Sequence, residues 1–242
     1  MIQTVLDIAV VAVAAILAIT LHEAAHGYAA LALGDDTARA AGRLSLNPIR
    51  HIDRFGTIIL PGFLLVSQLL TIGRVGFMFG WAKPVPVSAW KFRDPRRGMM
   101  VVAAAGPAMN FLLAWLGALA LHVVPLFGGL ALFLLAEFLI SFVIYNVVLA
   151  IFNLIPIPPL DGGRIAVGLL PLPLARAWAG MERVGLLIVL LLLFLLPALA
   201  RQAGYDFNPI QALLLRVLVP VLDLLLMLAG HPAMGRDLLG NV

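Results

Sequence analysis

The chain of 242 residues contains no cysteine, which excludes disulfides, thiolate metal ligands and a cysteine nucleophile. Charge is scarce as well. Asp, Glu, Lys and Arg make up 12% of the residues, against about 25% in soluble domains. No basic segment precedes the first apolar run, and that run continues through a cluster of histidine and glutamate. Both features speak against a cleaved signal peptide. No internal repeat, low-complexity tail or linker marks off a separate soluble domain, so residues 1–242 read as one integral-membrane unit.

What the chain has in abundance is apolar sequence, 63% of its residues, with a mean hydropathy of +1.08. That composition places it in the membrane. The net charge of +4 comes from basic residues in short loops between apolar runs. Such residues set orientation in a bilayer and give no reason to expect nucleic-acid binding.

Ile2–Leu33 is long enough to span and protrude, and Gly34-Asp35-Asp36 ends it. In the polar stretch that follows, Arg43-Leu44-Ser45-Leu46 alternates like a short strand stopped by Asn47-Pro48. Gly56–Ile72 is apolar but interrupted at Pro61-Gly62. Gly80–Val87 reads as extended. Pro84 and Pro86 remove donors from one edge, leaving Val85 and Val87 with donors on the other, where a peptide could add as a strand. A rigid polyproline-like loop is the equal alternative. Met99–Val124, Leu130–Ile157, Val184–Leu199 and Ile210–Ala229 are the remaining apolar runs.

The sixteen Lys and Arg choose between two topologies. If Gly56–Ile72 spans, making six transmembrane helices, the basic residues split ten to five, leaving out Arg216 within its apolar run. If the segment dips in and returns, they split fourteen to one, with Arg201 alone opposite. The positive-inside bias favours the second arrangement. The expectation is an all-α polytopic membrane protein with about five transmembrane helices. A small membrane-associated β/re-entrant region lies between the first two, the N-terminus is outside and the C-terminus inside. The catalytic core would cover about 2–165 and the C-terminal helices about 183–229.

Within the first run, His22 and His26 lie four apart, on one helix face, with Glu23 beside the first. This spacing lets two imidazoles hold one Zn²⁺ while the carboxylate acts on a water. A charge at the centre of a membrane helix costs about 2.5–3.5 kcal/mol on insertion scales, so the group needs a reason, with structural polar packing as the plain alternative. A third protein ligand is required. His51 sits in the basic loop, His122 at the far end of its helix, His231 in the tail and Glu137 mid-helix. Asp161 is the best candidate, because it ends an apolar helix and precedes Gly162-Gly163, which permit a tight turn presenting its carboxylate. Glu23 then suits a general base. Asn153 could bind the substrate backbone or an oxyanion, or simply bridge helices, and Asn110 is open to the same two readings. Asn146 and Glu137 read as packing residues.

Taken together, His22-Glu23-Ala24-Ala25-His26, the distal Asn153, Pro156, Asp161 and Gly162, the Gly106-Pro107-x-x-Asn110 element and the stretch from Gly80 to Val87 resemble the site-2 protease family of intramembrane zinc metalloproteases. The likeness is to the short bacterial type and covers about Leu21 to Gly163. It implies that His22, His26 and Asp161 bind one Zn²⁺ and that Glu23 is the catalytic base. It also implies that the extended segment carrying Val85 and Val87 pairs with substrate. The PDZ and CBS domains of many members have no counterpart here. Arg54 stands where short members often show proline, a departure expected to be local.

The expected function is hydrolysis of a peptide bond in or near the transmembrane helix of a single-span substrate in the bacterial inner membrane, with the active-site opening toward the cytosol. A zinc or other divalent-metal transporter is the competing class, since intramembrane His and carboxylates also line ion paths. A non-catalytic membrane scaffold is the third.

Overall fold

The computed structural model describes residues 2–71, 73, 80–205 and 207–232. Ile72, Arg74 and Arg236, which entered the span and charge readings, lie outside the described residues. Helix α1 is Ile2–Ala32. A π-helical stretch, Arg54–Ile59, runs into α2, Leu60–Thr71. Then come α3, Pro95–Ala120; α4, Gly129–Asn153; α5, Asp161–Leu169; and α6, Leu172–Gly180. Helix α7, Glu182–Gln202, includes a π-helical stretch at Leu191–Leu195, and α8 is Pro209–Leu228.

Among the described residues five helices, α1, α3, α4, α7 and α8, are long and apolar enough to cross a membrane. The described residues form an all-helical integral membrane protein. Local chemistry starts these helices where the charge sits. Asp94 caps α3 by accepting the Arg96 and Arg97 N–H groups at 3.1 Å each, with Pro95 at the first helical position. Asn208 and Pro209 open α8 in the same way.

The centre is a bundle of α1, α3 and α4. Ala14, Ala18, Ala103, Gly106, Ala114, Gly117 and Ala150 are buried in it. Small residues let helix backbones approach closely where the hydrophobic effect offers no drive. α1 and α3 run antiparallel, because His26 meets Val102 while Ala18, two turns earlier, meets Asn110. Leu218, Leu222 and Leu226, spaced at four, form the face that α8 lays on α3 and α4.

Three expectations are corrected. No β-strand forms among the described residues. Residues 80–87 carry no regular structure, because their donors go to scattered acceptors rather than to a partner strand. Trp81 N–H reaches the Gly56 carbonyl at 3.1 Å, Lys83 N–H the His51 carbonyl at 2.9 Å, and Val85 N–H the Glu23 carboxylate. The re-entrant turn at Pro61-Gly62 does not form either. Pro61 is the second residue of α2, just past the π-to-α change, where a missing N–H is tolerated.

Third, the C-terminal end of α8 does not lie at the end of the bundle where α3 begins. His122, just past α3, donates to the Ala229 carbonyl at 2.7 Å, so α8 finishes at the same end as the start of α1. A fourteen-to-one split of the basic residues needs every apolar run after Asp161 to reverse the side of the chain, and the packing does not follow that alternation.

Candidate metal centre

His22, Glu23 and His26 come from α1, in its second half. Asp161 is the first residue of α5, so the expected Asp-Gly-Gly turn is instead a helix start. Three atoms able to ligate a cation converge from two elements. His22 Nε2 lies 3.0 Å from His26 Nε2, and the Asp161 Oδ2 atom is 3.2 Å from the first and 3.3 Å from the second. His22 and Asp161 are buried and His26 nearly so.

The hydrogen bonds behind the rings decide what converges there. His26 Nδ1 lies 2.7 Å from the Val102 carbonyl, which can only accept, so that nitrogen carries the proton. His22 Nδ1 lies 2.5 Å from Asn110 Oδ1. The amide nitrogen of Asn110 is spent on Asn146 Oδ1 at 2.7 Å and the Ala18 carbonyl at 3.3 Å, so its oxygen must face the ring. Each neutral imidazole has one N–H, and both are used behind the ring. Both Nε2 atoms are therefore bare, and Asp161 Oδ2 is buried without a hydrogen-bond donor.

Three lone-pair atoms face one another in an apolar interior, an arrangement unfavourable without a cation. Ligands 2.0–2.1 Å from a tetrahedral centre stand about 3.3 Å apart, close to the separations found here. The donor set, two imidazoles and a carboxylate, suits zinc. Among the described residues it is the group of three metal-capable side chains that comes together.

The surroundings are fitted to this cluster. A Cβ on Gly106 would stand 2.5 Å from His26 Cε1 and 2.6 Å from His22 Cε1, so only glycine lets α3 lie against both rings. Glu23 is half-buried, and its Oε2 accepts the Val85 N–H at 3.1 Å. On the adjoining turn, a Cβ on Gly27 would meet Leu44 Cδ2 at 2.6 Å and Val85 Cγ1 at 3.1 Å. That flat place on α1 is where the extended segment crosses.

The other sequence candidates sit elsewhere. Asn110 is fully buried against His22 and does not face an open groove. Asn153 donates to the Leu149 carbonyl one turn back at 3.0 Å. Val85 has its donor engaged by Glu23, and Val87 packs on a small cluster of Ala30, Phe92 and Val102. His51 is buried and bonded to the Ser45 carbonyl at 2.8 Å, His122 stacks on His231 with ring centroids 4.0 Å apart, and Glu137 meets Asp7 of α1. Sequence reading assigned Asn146 to packing and gave no role to the Val102 carbonyl. The first had a signal, a second asparagine deep in an apolar run; a backbone carbonyl has none.

The fold and this donor set are those of a membrane-embedded protein in which two histidines and one carboxylate are gathered where a cation could be held. The model of peptidase family M50, the family of the site-2 proteases, matches residues 123–196. The chain is 41% identical over 186 residues to YwhC of Bacillus subtilis, covering 75% of this chain and 78% of YwhC. It is 30% identical over 187 residues to Rip2 of Mycolicibacterium smegmatis, covering 77% of this chain and 66% of Rip2. Both relatives are named as zinc metalloproteases. No solved structure matches the chain significantly. The chain belongs to peptidase family M50 and is a zinc metalloprotease of the membrane.

Proposed function

We propose that the protein hydrolyses a peptide bond within or near the transmembrane helix of a single-span substrate, with His22, His26 and Asp161 holding one Zn²⁺. The observation that carries this reading is the meeting of three bare donor atoms within 3.3 Å, beside a carboxylate on the same helix. Zinc bound there would polarise the scissile carbonyl and make a water acidic enough to attack at neutral pH.

Glu23 takes the proton of the attacking water on its carboxylate and returns it to the leaving amine as the C–N bond breaks. His26 and His22 keep their Nδ1–H bonds throughout, so their Nε2 atoms stay aimed at one point. Burial of His22 and Asp161 excludes bulk water from the donors and strengthens every charge interaction among them. The basic residues Arg96, Arg97 and Arg164 stand at the end of the bundle where α3 and α5 begin. The positive-inside bias turns that end toward the cytosol, in the inner membrane of a bacterium. One three-ligand cluster on the described residues, with family membership, favours proteolysis over metal transport.

The test is cleavage of a single-span reporter by the full chain in reconstituted bilayers, with zinc measured on the same samples. Glu23→Gln is expected to keep its zinc and lose at least about a hundredfold in rate, the usual worth of a general base. Undiminished cleavage by that variant would refute the role of Glu23.

A further inference from the structure

We propose that Asn110 and Asn146 form a positioning relay that holds His22 in the tautomer able to bind a cation, an inference that rests on the metal reading above. Both asparagines are fully buried between helices, where polar groups are rare and need full partnering. Their four hydrogen bonds have a direction. The Phe142 carbonyl, one turn back on α4, can only accept, so Asn146 turns its amide nitrogen toward it at 2.8 Å. That leaves Asn146 Oδ1 facing α3, where it takes the Asn110 amide N–H at 2.7 Å. Asn110 Oδ1 is thereby turned to His22 Nδ1 on α1 at 2.5 Å, and the ring proton must sit on Nδ1.

A helix carbonyl cannot reverse its polarity, so the whole chain of bonds is locked from its α4 end. Without Asn146, the Asn110 amide would be held in this orientation only by the longer bond to the Ala18 carbonyl at 3.3 Å, which a half-turn of the amide would break. The rotated amide would offer an N–H to His22 Nδ1 and drive the ring proton to Nε2. That proton would point at His26 and Asp161, where a cation has to go. Asn146 is thus a positioning residue at one remove from the ligand, acting through Asn110.

The test uses the full-length protein in lipid nanodiscs, with zinc affinity read by competition against a chromophoric chelator. Asn110→Leu is expected to weaken zinc binding about 10–100-fold, the range for groups that orient metal-bound histidines, and Asn146→Leu about tenfold. Asn146→Asp offers a carboxylic acid of the same shape, donating to Phe142 and accepting from Asn110, and is expected to stay within about twofold of wild type. In the zinc-loaded wild type, ¹⁵N-histidine NMR is expected to show a His22 Nδ1–H protected from exchange. Leucine variants that fold and bind zinc like wild type overturn the relay, and so does a wild-type His22 without a protected Nδ1–H, which needs no variant to fold. Zinc binding undiminished in His22→Ala and Asp161→Ala would instead overturn the metal reading itself.

Discussion

The backbone N–H of Val85 donates to the Glu23 carboxylate at 3.1 Å, across 62 positions of sequence. The extended segment is thus tied directly to the proposed general base. Its neighbouring donors are also turned inward, to Gly56 and His51, while Pro84 and Pro86 have none to offer on the other edge. A hydrogen bond to a charged group contributes about 1.5–3 kcal/mol, enough to hold one rotamer of Glu23 over others.

Val85→Pro deletes that donor, while Val85→Ala keeps it and trims the contact with Gly27. The expected outcome is a fall of at least about tenfold in kcat for the proline variant, with zinc content unchanged and the alanine variant close to wild type. Reporter cleavage with parallel metal analysis measures both. Equal rates for the two variants would show that the bond does not orient Glu23.

Gly106 gives a second prediction, about affinity. The ring atoms of His22 and His26 that a Cβ would strike are held from behind by Asn110 and Val102 and cannot retreat. Gly106→Ala is expected to displace an imidazole and weaken zinc binding by at least about tenfold, a loss comparable to that of an orienting partner. Gly180→Ala, where nothing lies within 4 Å, is the matched control and should bind zinc normally. Chelator competition on both decides it, and unchanged affinity in Gly106→Ala would mean that the helices simply part.

The far end of the extended segment is pinned by a carboxylate whose titration can be followed. Burial pushes the Asp35 carboxyl up, but the Thr37 hydroxyl, the Ser88 and Thr37 N–H groups and Lys91 outweigh it and hold it below its ordinary value of 3.8. The Ser88 N–H bond is 2.6 Å long. A depressed folded value means that the stabilisation is present above the unfolded pKa and is lost as pH falls through the folded one. Hydrogen exchange at the Ser88 amide is expected to stay slow from neutral pH down to about 4 and to become faster than the intrinsic trend below that. Asp35→Asn should exchange faster than wild type at neutral pH and lose the acid-dependent step. A wild-type protection factor that ignores acid would remove Asp35 as the pin.

Much of this protein was legible without coordinates, for identifiable reasons. Membrane class follows from composition, because hydrocarbon tolerates so little charge that the bias is visible in a count. The spacing of His22 and His26 is local and reads directly as one helix face. Asp161 stood out because carboxylates at the end of apolar runs are few, and the structure places its Oδ2 within 3.3 Å of both imidazoles. The choice between strand and polyproline-like loop for residues 80–87 stays open in the sequence, because alternating prolines report which donors are missing, not where the remaining ones go.

What the chain alone determined is therefore the solvent it lives in, the residue types that can hold a cation, and the family those residues belong to. The tertiary structure alone decided which ring nitrogen carries each proton, how close Gly106 brings α3 to the rings, that Val85 reaches Glu23, and that α8 ends beside His122. Each of these depends on a backbone carbonyl, a backbone N–H or a close helix approach. Such groups are the same in every residue, so position in the fold, not residue type, gives them their role.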